Sequence, residues 1–156
     1  MKIKNNTYLI SVVALTIALP LLCTFIEWQY TPYVPYLSLF AKWFLFSAVG
    51  LRLLMAGLIQ LLRPEFTLHH IFKITDAKST QLVQEIGLHN LILGAAAILT
   101  SLLFLQYQFI IALMGSAYFG SAGLLHMTRK HKSFNQQIAM ISDLGITISI
   151  FIFLFL

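Results

Sequence analysis

Five long apolar runs alternate with short polar segments along this chain. The runs cover residues 8–26, 39–62, 81–105, 109–127 and 137–156. A helix rises 1.5 Å per residue, so about 20 residues cross a hydrocarbon core about 30 Å thick. The pattern therefore predicts an all-α polytopic membrane protein with five transmembrane helices. We expect a single domain, because the runs leave little chain for a soluble one.

Proline, aromatic and polar residues interrupt the apolar pattern. Pro20 predicts a kink within the first helix. Residues 28–36 combine Trp and Tyr with two prolines, a composition typical of an interfacial loop. Residues 64–80 form the most polar connection, and their scattered apolar side chains favour a short amphipathic piece along the membrane surface. The His69–His70 pair in this connection is a poor chelate, because adjacent helical residues point about 100° apart.

The third run has two different faces when its residues are placed at 100° steps. We expect lipid to cover one apolar arc of about 120°, formed by Leu88, Leu91, Ile92, Ile98, Leu99 and Leu102. Small and polar residues fill the remaining surface, and we expect close contact with other helices there. This second side includes Glu85, Gly87, His89, Asn90 and Gly94.

Small residues also predict close contacts on two other helices. Gly50 and Gly57 lie seven residues apart in the second run, and Ser116 and Gly120 lie four apart in the fourth. Small residues at these spacings let two helix backbones approach each other.

Composition supports a membrane environment. The chain is 59% hydrophobic and only 10% charged, against about 25% charged in soluble domains, so lipid must cover much of its surface. The net charge of +5 does not indicate nucleic-acid binding, because the Lys and Arg residues lie mostly between apolar runs. The single cysteine, Cys23, excludes an internal disulfide and a Cys-based metal cluster.

Basic residues predict the orientation. They flank alternate ends of the runs, at Lys2 and Lys4, at Arg63, Lys73 and Lys78, and at Arg129, Lys130 and Lys132. By the positive-inside rule the N-terminus is cytoplasmic and the C-terminus outside. The first run lacks a small-x-small cleavage site, which favours an uncleaved signal anchor.

Polar side chains inside the runs are the candidate functional residues. A charge facing lipid costs from about 3 to more than 10 kcal/mol, so we expect these groups to face the bundle interior. They are predicted to converge in one layer near the cytoplasmic face, formed by Arg52, Gln60, Glu85, His89, Asn90, His126 and Asp143.

This predicted layer is compatible with several chemistries. Arg52 can neutralise Glu85 or Asp143 in a purely structural hydrogen-bonded network. A quinone or lipid site is a second reading, in which His89 or Glu85 exchanges a proton and Arg52 polarises a carbonyl. Metal binding is a third, with ligands Glu85, His89, His126 and Asp143. Haem binding between His89 and His126 is a fourth alternative. Proton or ion transport is a fifth, and it would require the chain to form oligomers.

Short motifs resemble known families. Leu51-Arg52, Ala56-Gly57-Leu58 and Gln84-Glu85-Ile86-Gly87 are similar to the DoxX-like family of small bacterial membrane proteins. More closely, Glu85-x-Gly87-x-x-Asn90, Gly123-Leu124-x-His126 and Ser142-Asp143-Leu144 resemble an uncharacterised family of small bacterial integral membrane proteins. The resemblance covers about residues 39–156 and implies helical membrane proteins, some of them subunits of quinone-linked redox complexes. It favours an accessory component, in contact with complex subunits or a second copy, over a self-contained enzyme.

Overall fold

The computed structural model describes residues 3–72 and 76–155, and the side chains of residues 7–69, 76 and 78–155. The described chain is helical throughout apart from short connections, and it contains no strand. Within the described residues, five helices are long and apolar enough to cross a membrane. The predicted fold class, an all-α bundle with five spans, is confirmed.

We label the five long helices in chain order. Two of them include π-helical turns, at Ala14–Ala18 and at Leu45–Leu51. Helix α1 consists of Ile3–Val13, Ala14–Ala18 and Leu19–Tyr30; α2 consists of Tyr36–Phe44, Leu45–Leu51 and Arg52–Leu62; α3 is Thr80–Leu102, α4 is Gln108–Thr128 and α5 is Phe134–Phe155.

Helix α1 is longer than its apolar run predicts. The helix continues past residue 26 to Tyr30 and ends before Thr31-Pro32. Its last residues therefore belong to the segment that was predicted to be an interfacial loop. The π-helical turn Ala14–Ala18 comes just before Pro20, which fits the usual adjustment of a helix to a missing N–H donor. Pro20 itself is buried within the helix.

The connection after α2 is helical and partly buried. A short α-helical turn at Pro64–Phe66 is followed by a π-helical turn at Thr67–Phe72. A 3-10 turn at Ala77–Ser79 then leads into α3. Thr67 and Leu68 are buried against the bundle. This segment therefore packs partly on the protein. The side chains of His70 and Lys73 lie outside the described residues.

Helices α2 and α3 form a close pair through four glycines. A Cβ added at Gly57 would lie 2.6 Å from the Gly87 carbonyl oxygen, and one added at Gly94 would lie 2.8 Å from the Gly50 carbonyl oxygen. The two backbones therefore touch at two levels, about two turns apart. This contact confirms the prediction from Gly50 and Gly57, and it buries the small-residue side of α3.

Helices α4 and α5 form a second close pair. The Thr147 hydroxyl donates to the Ser116 carbonyl oxygen at 3.2 Å. A Cβ at Gly120 would lie 3.3 Å from Thr147, and one at Gly123 would lie 2.8 Å from Leu144. The close contact predicted from Ser116 and Gly120 is confirmed.

The apolar core lies between these two pairs. It is formed by Phe44, Leu45, Ala48, Val49, Leu53, Ala97, Phe119, Ile146 and Ile150. Most Leu, Ile and Phe side chains on the outer faces are exposed, which is the arrangement expected when lipid is the solvent. On α3 the predicted lipid arc is exposed at Leu88, Ile92, Leu99 and Leu102, whereas Leu91 and Ile98 pack over the glycines of α2.

Helix α1 is attached to α2 by polar contacts. The Ser47 hydroxyl donates to the Leu15 carbonyl oxygen at 2.5 Å. Near the other end of α1, Lys42 Nζ lies 2.7 Å from Glu27 Oε1, and Trp43 Nε1 donates to Glu27 Oε2 at 2.6 Å. The charges of Glu27 on α1 and Lys42 on α2 therefore neutralise each other.

Candidate functional site

A buried ion pair joins α2 to α5 inside the bundle. Arg52 follows the π-helical turn of α2, and its Nη2 lies 2.6 Å from Asp143 Oδ1. The same nitrogen donates to the Ser142 hydroxyl at 2.8 Å. The two charged side chains are only 12% and 7% exposed. Of the two partners predicted for Arg52, Asp143 is the one that neutralises it.

Aromatic side chains surround this pair. The guanidinium carbon of Arg52 lies 5.1 Å from the centre of the Phe119 ring, within cation–π range. Tyr8 on α1 and Tyr118 on α4 both interact electrostatically with Arg52 and Asp143. Four helices, α1, α2, α4 and α5, therefore contribute to the surroundings of one charge pair.

A second polar pair lies beside it, between α2 and α3. Asn90 is buried, and its Nδ2 donates to Gln60 Oε1 at 2.7 Å. The Gln60 side chain fits here because α3 has a glycine at position 87. The Gln60–Asn90 pair therefore joins α2 to α3, whereas the Arg52–Asp143 pair joins α2 to α5.

Glu85 and His89 do not belong to this cluster. Both are exposed, and Glu85 Oε1 has only a long 3.5 Å contact with Gln81 Nε2. The prediction that Glu85 and His89 face the bundle interior is therefore wrong. Each lies two residues from Gly87, which puts it about 160° around the helix from the face that packs on α2.

His126 is also separate from the pair. It lies half-buried near the end of α4, about 12 Å further along that helix than Tyr118. Its charged neighbours are Arg129 and Lys132. Among the described residues no three His, Cys, Asp or Glu side chains are grouped so that they could hold a metal ion. The predicted metal ligands Glu85, His89, His126 and Asp143 are therefore not assembled here.

Three members of the cluster were missed by sequence reasoning: Tyr8, Tyr118 and Ser142. A signal existed for Tyr118, because it lies deep inside an apolar run. Membrane tyrosines that serve as interfacial anchors lie near the ends of their helices. A tyrosine about ten residues from either end of its helix therefore indicates a buried or functional contact.

A lateral groove opens between α3 and α4, next to Tyr118. Its volume is about 420 Å³, and it is lined by Ile86, His89, Ile92, Leu93, Ala96, Ile111, Met114 and Tyr118. The groove exists because α3 turns its glycine side toward α2. Bulky side chains on the opposite side of α3 then prevent close approach to α4.

The groove wall is almost entirely apolar, and His89 and Tyr118 are the two lining residues whose side chains carry polar atoms. His89 Nδ1 lies 2.8 Å from the Glu85 carbonyl oxygen. A carbonyl oxygen only accepts, so Nδ1 is the donor in this contact, and Nε2 takes no part in it. The Tyr118 hydroxyl is a donor or an acceptor. The volume lies within the range of about 300 to 1,000 Å³ that is usual for small-molecule sites.

Comparisons of the chain with protein-family models, with curated proteins and with solved structures find no match. The resemblance to DoxX-like proteins therefore stays a prediction.

Proposed function

We propose that this chain is a membrane component that binds a quinone-like small molecule in the groove between α3 and α4. The observation that carries the proposal is the position of Tyr118. Its side chain lines the groove and lies within electrostatic range of the Arg52–Asp143 pair. A ligand in the groove would therefore touch a side chain that is already part of the buried polar cluster.

The groups in the groove match the chemistry of a quinone head. A quinone carbonyl accepts a hydrogen bond from the Tyr118 hydroxyl, and the hydroxyl of the reduced form donates to His89 Nε2. Apolar side chains such as Ile92 and Met114 cover the ring faces. The lateral opening leaves an isoprenoid tail in the bilayer, so no enclosed tunnel is required.

The Arg52–Asp143 pair would act on this ligand through Tyr118. Paired charges at low dielectric orient nearby dipoles more strongly than they would in water. We assign the cluster to orienting the Tyr118 hydroxyl toward the groove. In this proposal the chain is an accessory component of a membrane redox system, in line with the DoxX-like resemblance, and not a self-contained enzyme.

The proposed setting is a bacterial inner membrane with a cytoplasmic N-terminus. Basic residues support this orientation, because the sequence segments 63–79 and 129–133 carry Arg63, Lys73, Lys78, Arg129, Lys130 and Lys132. Near the other ends of the helices the charged residues are Glu27 in α1 and Lys42 in α2, which pair with each other. Possible partners are complex subunits or a second copy of the chain.

The test is isothermal titration calorimetry, in which decylubiquinone is titrated into the purified chain in lipid nanodiscs. We expect Tyr118→Phe to weaken binding about two- to tenfold, the usual effect of losing one hydrogen bond. Ala96→Phe should abolish binding, because its ring fills the groove. Tyr107→Phe is the matched control, since Tyr107 is an exposed tyrosine outside the groove.

Two outcomes would contradict the proposal. One is saturable decylubiquinone binding that neither Tyr118→Phe nor Ala96→Phe changes, which would place the ligand elsewhere. The other is the absence of saturable binding to the wild-type chain. Circular dichroism and size-exclusion chromatography of each variant confirm that the bundle is intact before binding is compared.

A further inference from the structure

Positive charge is concentrated in the short connection between α4 and α5. This connection is the segment 129–133, which we call the α4–α5 loop, and it carries Arg129, Lys130 and Lys132. No acidic residue occurs in the sequence between positions 86 and 142. The positive charge of the loop is therefore not offset by any acidic residue on the two helices that it joins, apart from the buried carboxylate that pairs with α2.

Tertiary contacts do not supply a counter-charge either. The ion pairs among the described residues lie elsewhere, one between α1 and α2 and one between α2 and α5. In the part of the chain that the structure describes, Arg129 and Lys130 therefore have no acidic partner. Lys130 is exposed and Arg129 is half-buried. An anion from outside the chain can neutralise both.

Hydrogen bonds within the loop fix its shape. Lys132 Nζ donates to the Arg129 carbonyl oxygen at 2.7 Å, so this ammonium group is used at the negative end of the α4 dipole. The Ser133 amide donates to Gln136 Oε1 at 2.9 Å, which caps the start of α5. The remaining cations, on Arg129 and Lys130, are thus held on an ordered hairpin.

Exposed apolar residues on both sides of the loop fix its depth. Met127 at the end of α4 and Phe134 at the start of α5 are 54% and 49% exposed. Both belong to helices that are long and apolar enough to span a membrane, so lipid covers these side chains. The charges between them therefore lie at the depth of the lipid headgroups. A headgroup is the anion that this geometry brings closest.

We propose that the α4–α5 loop binds the headgroup of an anionic glycerophospholipid. The guanidinium group of Arg129 donates to the phosphate oxygens, which its planar fork of N–H groups matches, and Lys130 adds a second positive charge. The acyl chains stay in the bilayer beside the exposed Phe134 side chain. This interaction does not depend on the function proposed for the groove between α3 and α4.

The test compares two lipids with the same acyl chains and different headgroup charge. The purified chain in detergent is equilibrated with equal amounts of dioleoyl phosphatidylglycerol and dioleoyl phosphatidylcholine, and the retained lipids are quantified by mass spectrometry. We expect a preference for the anionic lipid of about 5- to 25-fold, since each basic residue near a headgroup contributes about fivefold. Equal retention of both lipids would overturn the proposal without the need for any variant.

Salt provides a second measurement on the same preparation. Raising the ionic strength from about 0.05 M to about 0.5 M shortens the screening length severalfold, so the preference for phosphatidylglycerol should decrease. A preference that is unchanged at high salt would contradict a contact between charges.

Four single variants locate the interaction. Arg129→Gln and Lys130→Gln should each lower the preference for phosphatidylglycerol about fivefold. Arg63→Gln and Lys78→Gln are the matched controls, because they remove the same charges from exposed positions in the connection between α2 and α3. That connection also carries two acidic residues, so we expect changes of less than about twofold there.

The comparison of the two sets of variants decides the assignment. Equal losses in both sets would attribute the preference to the net charge of the chain and refute a site at the α4–α5 loop. Circular dichroism and size-exclusion chromatography confirm that each variant is folded before its lipids are compared.

Discussion

The glycine contact between α2 and α3 makes a quantitative prediction for Gly57→Ala. The added Cβ would lie 2.6 Å from the Gly87 carbonyl oxygen and 2.7 Å from the Leu91 amide nitrogen, whereas ordinary contact begins near 3.4 Å. Both neighbours are backbone atoms, so no side chain can rotate away. The helices must separate locally by 3.4 − 2.6 = 0.8 Å.

A separation of this size is costly in a tightly packed interface. A gap of about 0.5–1 Å removes a quarter to a half of the dispersion energy of the atoms that border it. Overpacking a core by one methyl group costs about 1–3 kcal/mol. At about 2–4 °C per kcal/mol for a chain of this size, the melting temperature should be about 2–12 °C lower than that of a variant that gains the same helix propensity without a clash.

Gly145→Ala on α5 is the matched control. A Cβ at Gly145 meets nothing within 4 Å. Both glycines lie inside helices, so both variants gain the same helix propensity of about 1 kcal/mol. The difference between them therefore isolates the clash at Gly57.

The assay is thermal unfolding of the purified variants in one detergent, followed by circular dichroism. Equal melting temperatures for Gly57→Ala and Gly145→Ala would refute the close approach of α2 and α3. A lower melting temperature for Gly145→Ala alone would indicate a contact on the outer face of α5, for example with a second copy of the chain.

Two further predictions concern the charged residues. Asp143→Leu should destabilise the bundle by about 3–5 kcal/mol because it leaves the buried Arg52 charge without a counter-charge. The double variant Arg52→Met/Asp143→Leu should recover most of this loss in a double-mutant unfolding cycle. A double variant as unstable as the sum of the single variants would argue against the pair. Glu85→Gln should change stability by less than about 0.5 kcal/mol in the same unfolding assay, because Glu85 is exposed, and a larger loss would place Glu85 in the buried network.

The number of helices and the glycine contacts were predictable from the sequence. A transmembrane helix needs about 20 apolar residues, so run length alone indicates five spans. Gly50 and Gly57 recur with a spacing that keeps them on one face, so a close contact follows from helix geometry alone. These properties are local, because each depends on one segment and the bilayer and not on which helix lies next to it.

The partners of the polar side chains depended on the tertiary structure. An isolated helix can rotate about its axis, and only packing decides which of its sides is buried. The glycines of α3 direct that helix toward α2, and this rotation turns Glu85 and His89 outward while burying Asn90. The choice of Asp143 over Glu85 by Arg52, and the groove beside Tyr118, follow from this pairing of helices. Residue spacing within single runs contains no information on such contacts between distant segments.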